Sequence, residues 1–194
     1  MEEIKMKLNK IVSTFAAIAT VALFASCGSD APAASAAAPT EPAGEKPAAA
    51  TEPPQYTFSG DVLKIELEDM YYDEFLVFAD ASASGGWAAK LLGTDSFAEA
   101  VVTFPAGTYE GLVNEDAPDG NHDAFNVKVG DTFYRCFPSD PPIGTYELTT
   151  RTPMKIVFDA ETTVTVRIQQ NDPNKPNKPG ENGMKLDFIQ FTKK

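Results

Sequence analysis

The chain has 194 residues, with 16 Lys and Arg against 28 Asp and Glu, for a formal net charge of −12. A balance this acidic excludes non-specific nucleic-acid binding, which needs Lys and Arg to neutralise phosphates. One His and two Cys exclude most zinc sites and leave little for a nucleophile activated by a His base.

Residues 1–27 read as an export signal. Lys5, Lys7 and Lys10 form a basic head, and the apolar run from Ile11 to Ala25 is shorter than the ~20 residues that cross a bilayer core. The run ends Leu23-Phe24-Ala25-Ser26-Cys27, which resembles a bacterial lipoprotein cleavage box. That resemblance implies lipidation at Cys27. The alternative is a plain secretory peptide cut near Ala25 or Ser26. Each buried acyl methylene contributes about 0.8 kcal/mol, so several chains on one Cys hold a protein firmly at a membrane. Gly28, rather than Asp, follows the Cys, which favours the outer membrane or cell surface over the inner membrane. Removing residues 1–27 takes away three basic and two acidic groups and leaves 13 against 26, a net of −13.

Residues 28–55 are mostly Ala, Pro, Glu, Ser and Thr. They hold too little apolar surface to offset ordering entropy, and they read as a disordered tether. At about 3.1 Å per residue its upper reach is on the order of 85 Å.

Residues 56–194 read as one all-β domain. Leu63, Ile65 and Leu67 alternate with polar residues, and Phe75 to Phe78 looks like a continuous buried run. Ala98, Ala100, Val102 and Phe104 alternate next, followed by Phe125, Val127 and Val129. Ile156 and Phe158 come after these, then Val164, Val166 and Ile168, and the last run is Met184, Leu186 and Phe188. Gly130-Asp131 fits a hairpin turn with Gly first. No helix is expected. About nine or ten short strands at this spacing predict a two-sheet antiparallel β-sandwich. Cys136, in a strand-like run with no partner once Cys27 is lipidated, reads as a buried, inert thiol. His122, in a turn-rich loop, reads as exposed.

Glu66 and Glu68 stand at i and i+2, so on a strand both carboxylates leave one face, about 7 Å apart at their bases. Two such anions repel unless a cation lies between them, and calcium takes six to eight oxygens. The alternative is a solvated strand face. The pair does not read as a glycosidase dyad, because one strand face makes no cleft. P-loop, GxSxG and metal-hydrolase motifs are absent, and no catalytic residue is assigned.

Several stretches occur in a telling order. They are Ile65-Glu66-Leu67-Glu68-Asp69, Ala83-Ser84-Gly85-Gly86-Trp87-Ala88, Val102 to Tyr109, Asp123 to Val129, Thr163 to Ile168, and Gly183 to Ile189. This order resembles carbohydrate-binding modules of families 6 and 35, which share the galactose-binding-like jelly roll. The resemblance implies a structural calcium held by Glu66, Glu68 and Asp187. It also implies a sugar site with Trp87 as a stacking ring, Tyr134 as the candidate second ring and Asn182 as the hydrogen-bonding amide. Packing is the alternative role for Trp87, and turn chemistry for Asn182. The expected function is therefore a membrane-anchored, non-catalytic module binding glycan or polysaccharide. The alternative is a lipoprotein whose jelly roll is a protein-contact or adhesin surface.

Overall fold

The structure is a computed structural model describing residues 45–73, 75–91, 95–117, 119, 124–148, 151–169 and 184–194. The expected export signal with Cys27, the tether as far as residue 44, His122 and Asn182 lie outside them.

Among the described residues the regular structure is β1 (Gln55–Thr57), β2 (Val62–Glu66), β3 (Tyr71–Asp73), β4 (Phe75–Ala79), β5 (Trp87–Leu91), β6 (Phe97–Phe104), β7 (Gly107–Asp116), β8 (Phe125–Val129), β9 (Thr132–Cys136), β10 (Glu147–Leu148), β11 (Met154–Phe158), β12 (Thr162–Gln169) and β13 (Lys185–Lys193), with single 3-10 turns at Leu67–Asp69 and Ser84–Gly86. Thirteen strands exceed the expected nine or ten because β1, β3 and β10 span only two or three residues each. Pieces that short have no readable period.

A smaller sheet runs β1-β6-β12-β8-β9, with β3 also on β6. A larger sheet runs β10-β7-β13-β5-β4, with β11 on β7 and β2 on β13. Among the described residues only β1 pairs in parallel, along Val101 to Thr103 of β6. The two sheets form a β-sandwich of the jelly-roll type, and their inner faces meet in one core. Phe104 of β6 stands at its centre, 5.1 Å from the ring of Phe191 on β13 and 5.1 Å from Phe158 on β11. Burying each such ring stabilises by about 1.5–3 kcal/mol. The hydroxyl of buried Tyr109 donates to the Pro105 carbonyl at 2.7 Å, which pins the β6–β7 turn. Gly130, at φ 58°, opens the two-residue β8–β9 turn as expected. Cys136 is buried beside Glu115, and burial pushes its thiol up to about 12.

The structure departs from the expected periodicity at three places, each with a local cause. The strand carrying Glu66 ends there, and Glu68 lies in the 3-10 turn Leu67–Asp69. Leu67 and Met70 are both fully buried. Three positions apart, they would face opposite ways on a strand but align over one 3-10 turn. Phe75 to Phe78 is not a continuous buried run. Leu76 is 45% exposed, because β4 is an edge strand with one face in solvent. In β13 the inward set is Leu186, Ile189 and Phe191 rather than Leu186 and Phe188. The register of β13 on β7 shifts between Leu186 and Phe188, so Asp187 is an extra, bulged residue that reverses the alternation after it.

Candidate functional site

At the bulge, β13 also changes neighbours. Lys185 and Leu186 pair with β5, whereas Phe188 to Thr192 pair with β2. Asp187 falls at that change and is almost wholly buried. Its Oδ1 and Oδ2 accept the Ser84 main-chain N–H at 3.1 and 3.0 Å, and Oδ2 also accepts the Asn114 amide at 2.7 Å. Glu66, the last residue of β2, accepts the Ser84 hydroxyl at 3.1 Å and lies 2.7 Å from the Lys64 ammonium. Glu68 reaches the same turn, since a Cβ built on Gly85 would lie 3.5 Å from its Oε1. Gly85 and Gly86 hold φ of 64° and 82°, values that favour glycine and let the turn cross this close to the acids.

The three carboxylates expected to act together do converge, around Ser84–Gly86. The second oxygens of Glu66 and Glu68 are buried with no hydrogen-bond partner. Burial above all pushes the Glu68 carboxyl up to about 7; a backbone hydrogen bond is the next influence and pulls it down, and the charges of Glu66, Asp69 and Asp187 add to the rise. Asp187 is also raised, first by burial and then by Glu66, against the hydrogen bonds from Ser84 and Asn114. Among the described residues no group of three or more His, Cys, Asp or Glu side chains is drawn together closely enough to hold a metal ion as it stands. The donor set is open and made only of oxygens. It fits calcium by donor type, and the two orphaned oxygens are the kind of buried group that a cation satisfies.

A second acidic group borders the first across the β4–β5 loop. Asp80 accepts the Ser82 main-chain N–H at 3.1 Å and the Tyr146 hydroxyl at 3.0 Å. The Lys185 ammonium lies 2.6 Å from Asp116 and 3.5 Å from Asp80. Burial works against the charge on Asp80, but the Ser82 and Tyr146 hydrogen bonds and Lys185 outweigh it and hold the carboxyl below its usual range. Lys185 bridges the two acids of this group, although Oδ1 of Asp116 is buried without a hydrogen-bond partner.

The expected sugar-binding rings are separated. Trp87 opens β5 on the same face as Ala89 and Leu91 and packs, half-buried, against the core. Tyr134 lies on the other sheet, opposite inward-facing Val127, and its hydroxyl donates to the Lys155 carbonyl at 2.9 Å. Its ring also packs on the core. Both therefore do structural work.

The outward face of the smaller sheet carries a depression of about 600 Å³ that the sequence reading missed. Its walls include Glu99 on β6, Thr165, Arg167 and Gln169 on β12, Lys128 on β8 and Phe133 on β9. Register builds it, because Arg167 stands opposite Glu99 on one side and Lys128 on the other. Arg167 is fixed three ways. It lies 2.7 Å from Glu99, its Nε donates to Gln169 at 2.8 Å, and its guanidinium sits 3.6 Å from the centroid of the Phe97 ring. A signal for this groove was present. If Val164, Val166 and Ile168 face inward, then Thr165, Arg167 and Gln169 face outward, and on β9 Phe133 rather than Tyr134 takes the outward phase, opposite Lys128.

No protein-family model matches the chain, and no characterised protein sequence matches it. Solved structures do. The GH26-CBM35 β-(1,4)-mannanase of Podospora anserina superposes with a TM-score of 0.55 at 14% identity, over 69% of this chain and 28% of the mannanase. The C-terminal CBM6 of LamC, a marine laminarinase from Zobellia galactanivorans, gives 0.51 at 17% identity, over 69% of this chain and all of that module. A family 35 carbohydrate-binding module from Clostridium thermocellum gives 0.51 at 10% identity, over 70% and 100%. This chain thus spans little more than a quarter of the mannanase, the part over which the two share a fold. The β-sandwich shares the jelly-roll fold of carbohydrate-binding modules of families 6 and 35.

Proposed function

We propose that the domain is a non-catalytic glycan-binding module and that its seat is the groove on the outward face of the smaller sheet. The observation that carries this reading is the Arg167 rung. A rigid guanidinium, the Gln169 amide, the Thr165 hydroxyl and the Phe133 ring edge one concavity. Such groups suit a sugar, which offers paired donors and acceptors around an apolar ring face. Glu99 is committed to Arg167 and Asp131 stands fully exposed at a hairpin tip, so the groove lacks the two facing carboxylates of a glycosidase. The neighbours, a β-(1,4)-mannanase, a module of a laminarinase and a family 35 carbohydrate-binding module, make β-mannan and laminarin the first ligands to try.

Affinity electrophoresis in those polysaccharides tests the reading. Retardation lost in Phe133→Ala and kept in Trp87→Ala supports the groove. Loss in Trp87→Ala alone moves the seat to the loop rim. No retardation on any glycan removes the function and leaves the protein-contact alternative.

Two further parts belong to the same proposal. Glu66, Glu68 and Asp187 would hold a structural calcium, whose charge would satisfy the buried orphan oxygens and tie β2 to β13. Cys27 would carry the acyl chains of an exported lipoprotein, placing the domain at the outer membrane or cell surface. Metabolic labelling with a fatty acid that persists in Cys27→Ser would refute the anchor.

A further inference from the structure

We propose that Lys64 is a tethered counter-ion that competes with a divalent cation for Glu66. The inference rests on the calcium reading above and adds a control to it. Lys64 stands two residues before Glu66 on β2, so both side chains leave the same face. Its ammonium lies 2.7 Å from Glu66 Oε1, donates to the Ser84 hydroxyl and stands 3.9 Å from the centroid of the Phe188 ring.

The contact with Phe188 traces to the irregularity in β13. Phe188 pairs directly opposite Glu66, and the bulge at Asp187 turns it to the outer face, where its ring seats the ammonium. Ser84 is the shared hub, with its N–H given to Asp187 and its hydroxyl to Glu66. Lys64 therefore enters the acid cluster at the residue that organises it.

The compensation is incomplete in a telling way. A single ammonium neutralises one charge where three carboxylates meet, and it engages only one oxygen of Glu66. The other oxygen of Glu66 and Oε2 of Glu68 stay buried without a partner. A dication binding there meets an ammonium already at Glu66 and must push it aside or tolerate it nearby. Lys64 thus steadies the metal-free rim and weakens metal binding, which sets a calcium threshold for the filled state.

The test uses the full chain in mild detergent, with calorimetric calcium titration and thermal denaturation in chelator. Lys64→Met keeps the apolar stem over Phe188 and removes the charge, whereas Lys64→Arg keeps the charge. Lys64→Met should bind calcium about tenfold more tightly than wild type and melt lower in chelator. Lys64→Arg should stay within about threefold of wild type. Phe188→Leu, which removes only the ring seat, should shift affinity the same way by less and serves if Lys64→Met does not fold. Equal affinities in all the chains would overturn the inference and leave the calcium site standing. Calcium binding in Lys64→Met alone would support it in its strongest form. No calcium binding in any chain would overturn both readings.

Discussion

On the outward face of the smaller sheet, Arg167 and Glu99 meet at 2.7 Å as cross-strand partners. At the rim of the larger sheet, Glu66, Glu68 and Asp187 come from a strand end, a 3-10 turn and a bulge, and the cation drawn to them is Lys64. Regular register places one residue opposite one other, so opposite charges can be matched a pair at a time. Irregular backbone gathers side chains that no register pairs. Like charges then accumulate, and their oxygens stay unsatisfied until something else arrives. The first arrangement leaves its charges matched, and the second leaves an oxygen of Glu66 and one of Glu68 buried without a hydrogen-bond partner.

The largest effect that would sharpen this contrast is metal loading. Calcium at about 100 times its dissociation constant should stabilise the fold by about 2.7 kcal/mol, on the order of 10 °C in Tm for a domain of this size. The gain should vanish in Glu68→Ala and persist in Arg167→Ala. A melting curve indifferent to both calcium and chelator would erase the distinction between the two regions.

A pH titration in chelator should show the next effect. Glu68 titrates near 7 in the folded protein, above its ordinary 4.5. Its contribution is therefore full below the unfolded value and is lost as pH rises through 7. Asp187 is shifted the same way. Denaturant unfolding should lose about 2 kcal/mol between pH 5.5 and 8. Glu68→Gln should flatten that slope, and an unchanged slope in the variant would assign the effect elsewhere.

The paired region should respond to the loss of one partner. Arg167→Ala leaves Glu99 without its guanidinium and should cost about 1.5 kcal/mol in chemical denaturation. That loss should be the same with calcium and with chelator. Glycan retardation should fall with it, and unaltered retardation would move the ligand off the groove. The smallest effect is expected at Gly85→Ala, where a positive φ should cost about 1 kcal/mol. Because the new methyl faces Glu68, part of this loss should also appear as weaker calcium binding. A loss in stability with calcium affinity untouched would show that the turn does not shape the site.

Much of the sandwich was readable before any coordinates. Period-two runs such as Ala98 to Phe104 and Phe125 to Val129 face inward as their alternation requires, and Gly130 turns the hairpin between β8 and β9. The acidic trio was also nameable, through resemblance, although the reason it converges was not. Alternation presumes an unbroken strand. It therefore misplaced Glu68, which a 3-10 turn carries, and Phe188, which a bulge turns outward. Trp87 and Tyr134 were named through the resemblance, and the structure places each ring against the core, on opposite sheets.

The residue order by itself determined the class of fold, the inward faces of the long strands and the acidic character of the chain, because these depend on spacing and composition along one segment. Only the tertiary structure decided which carboxylates share Ser84, which lysine is drawn to them and which outward residues form a groove. Those are contacts between segments far apart in sequence. A one-residue slip in bulge or register reverses the face that every following side chain meets.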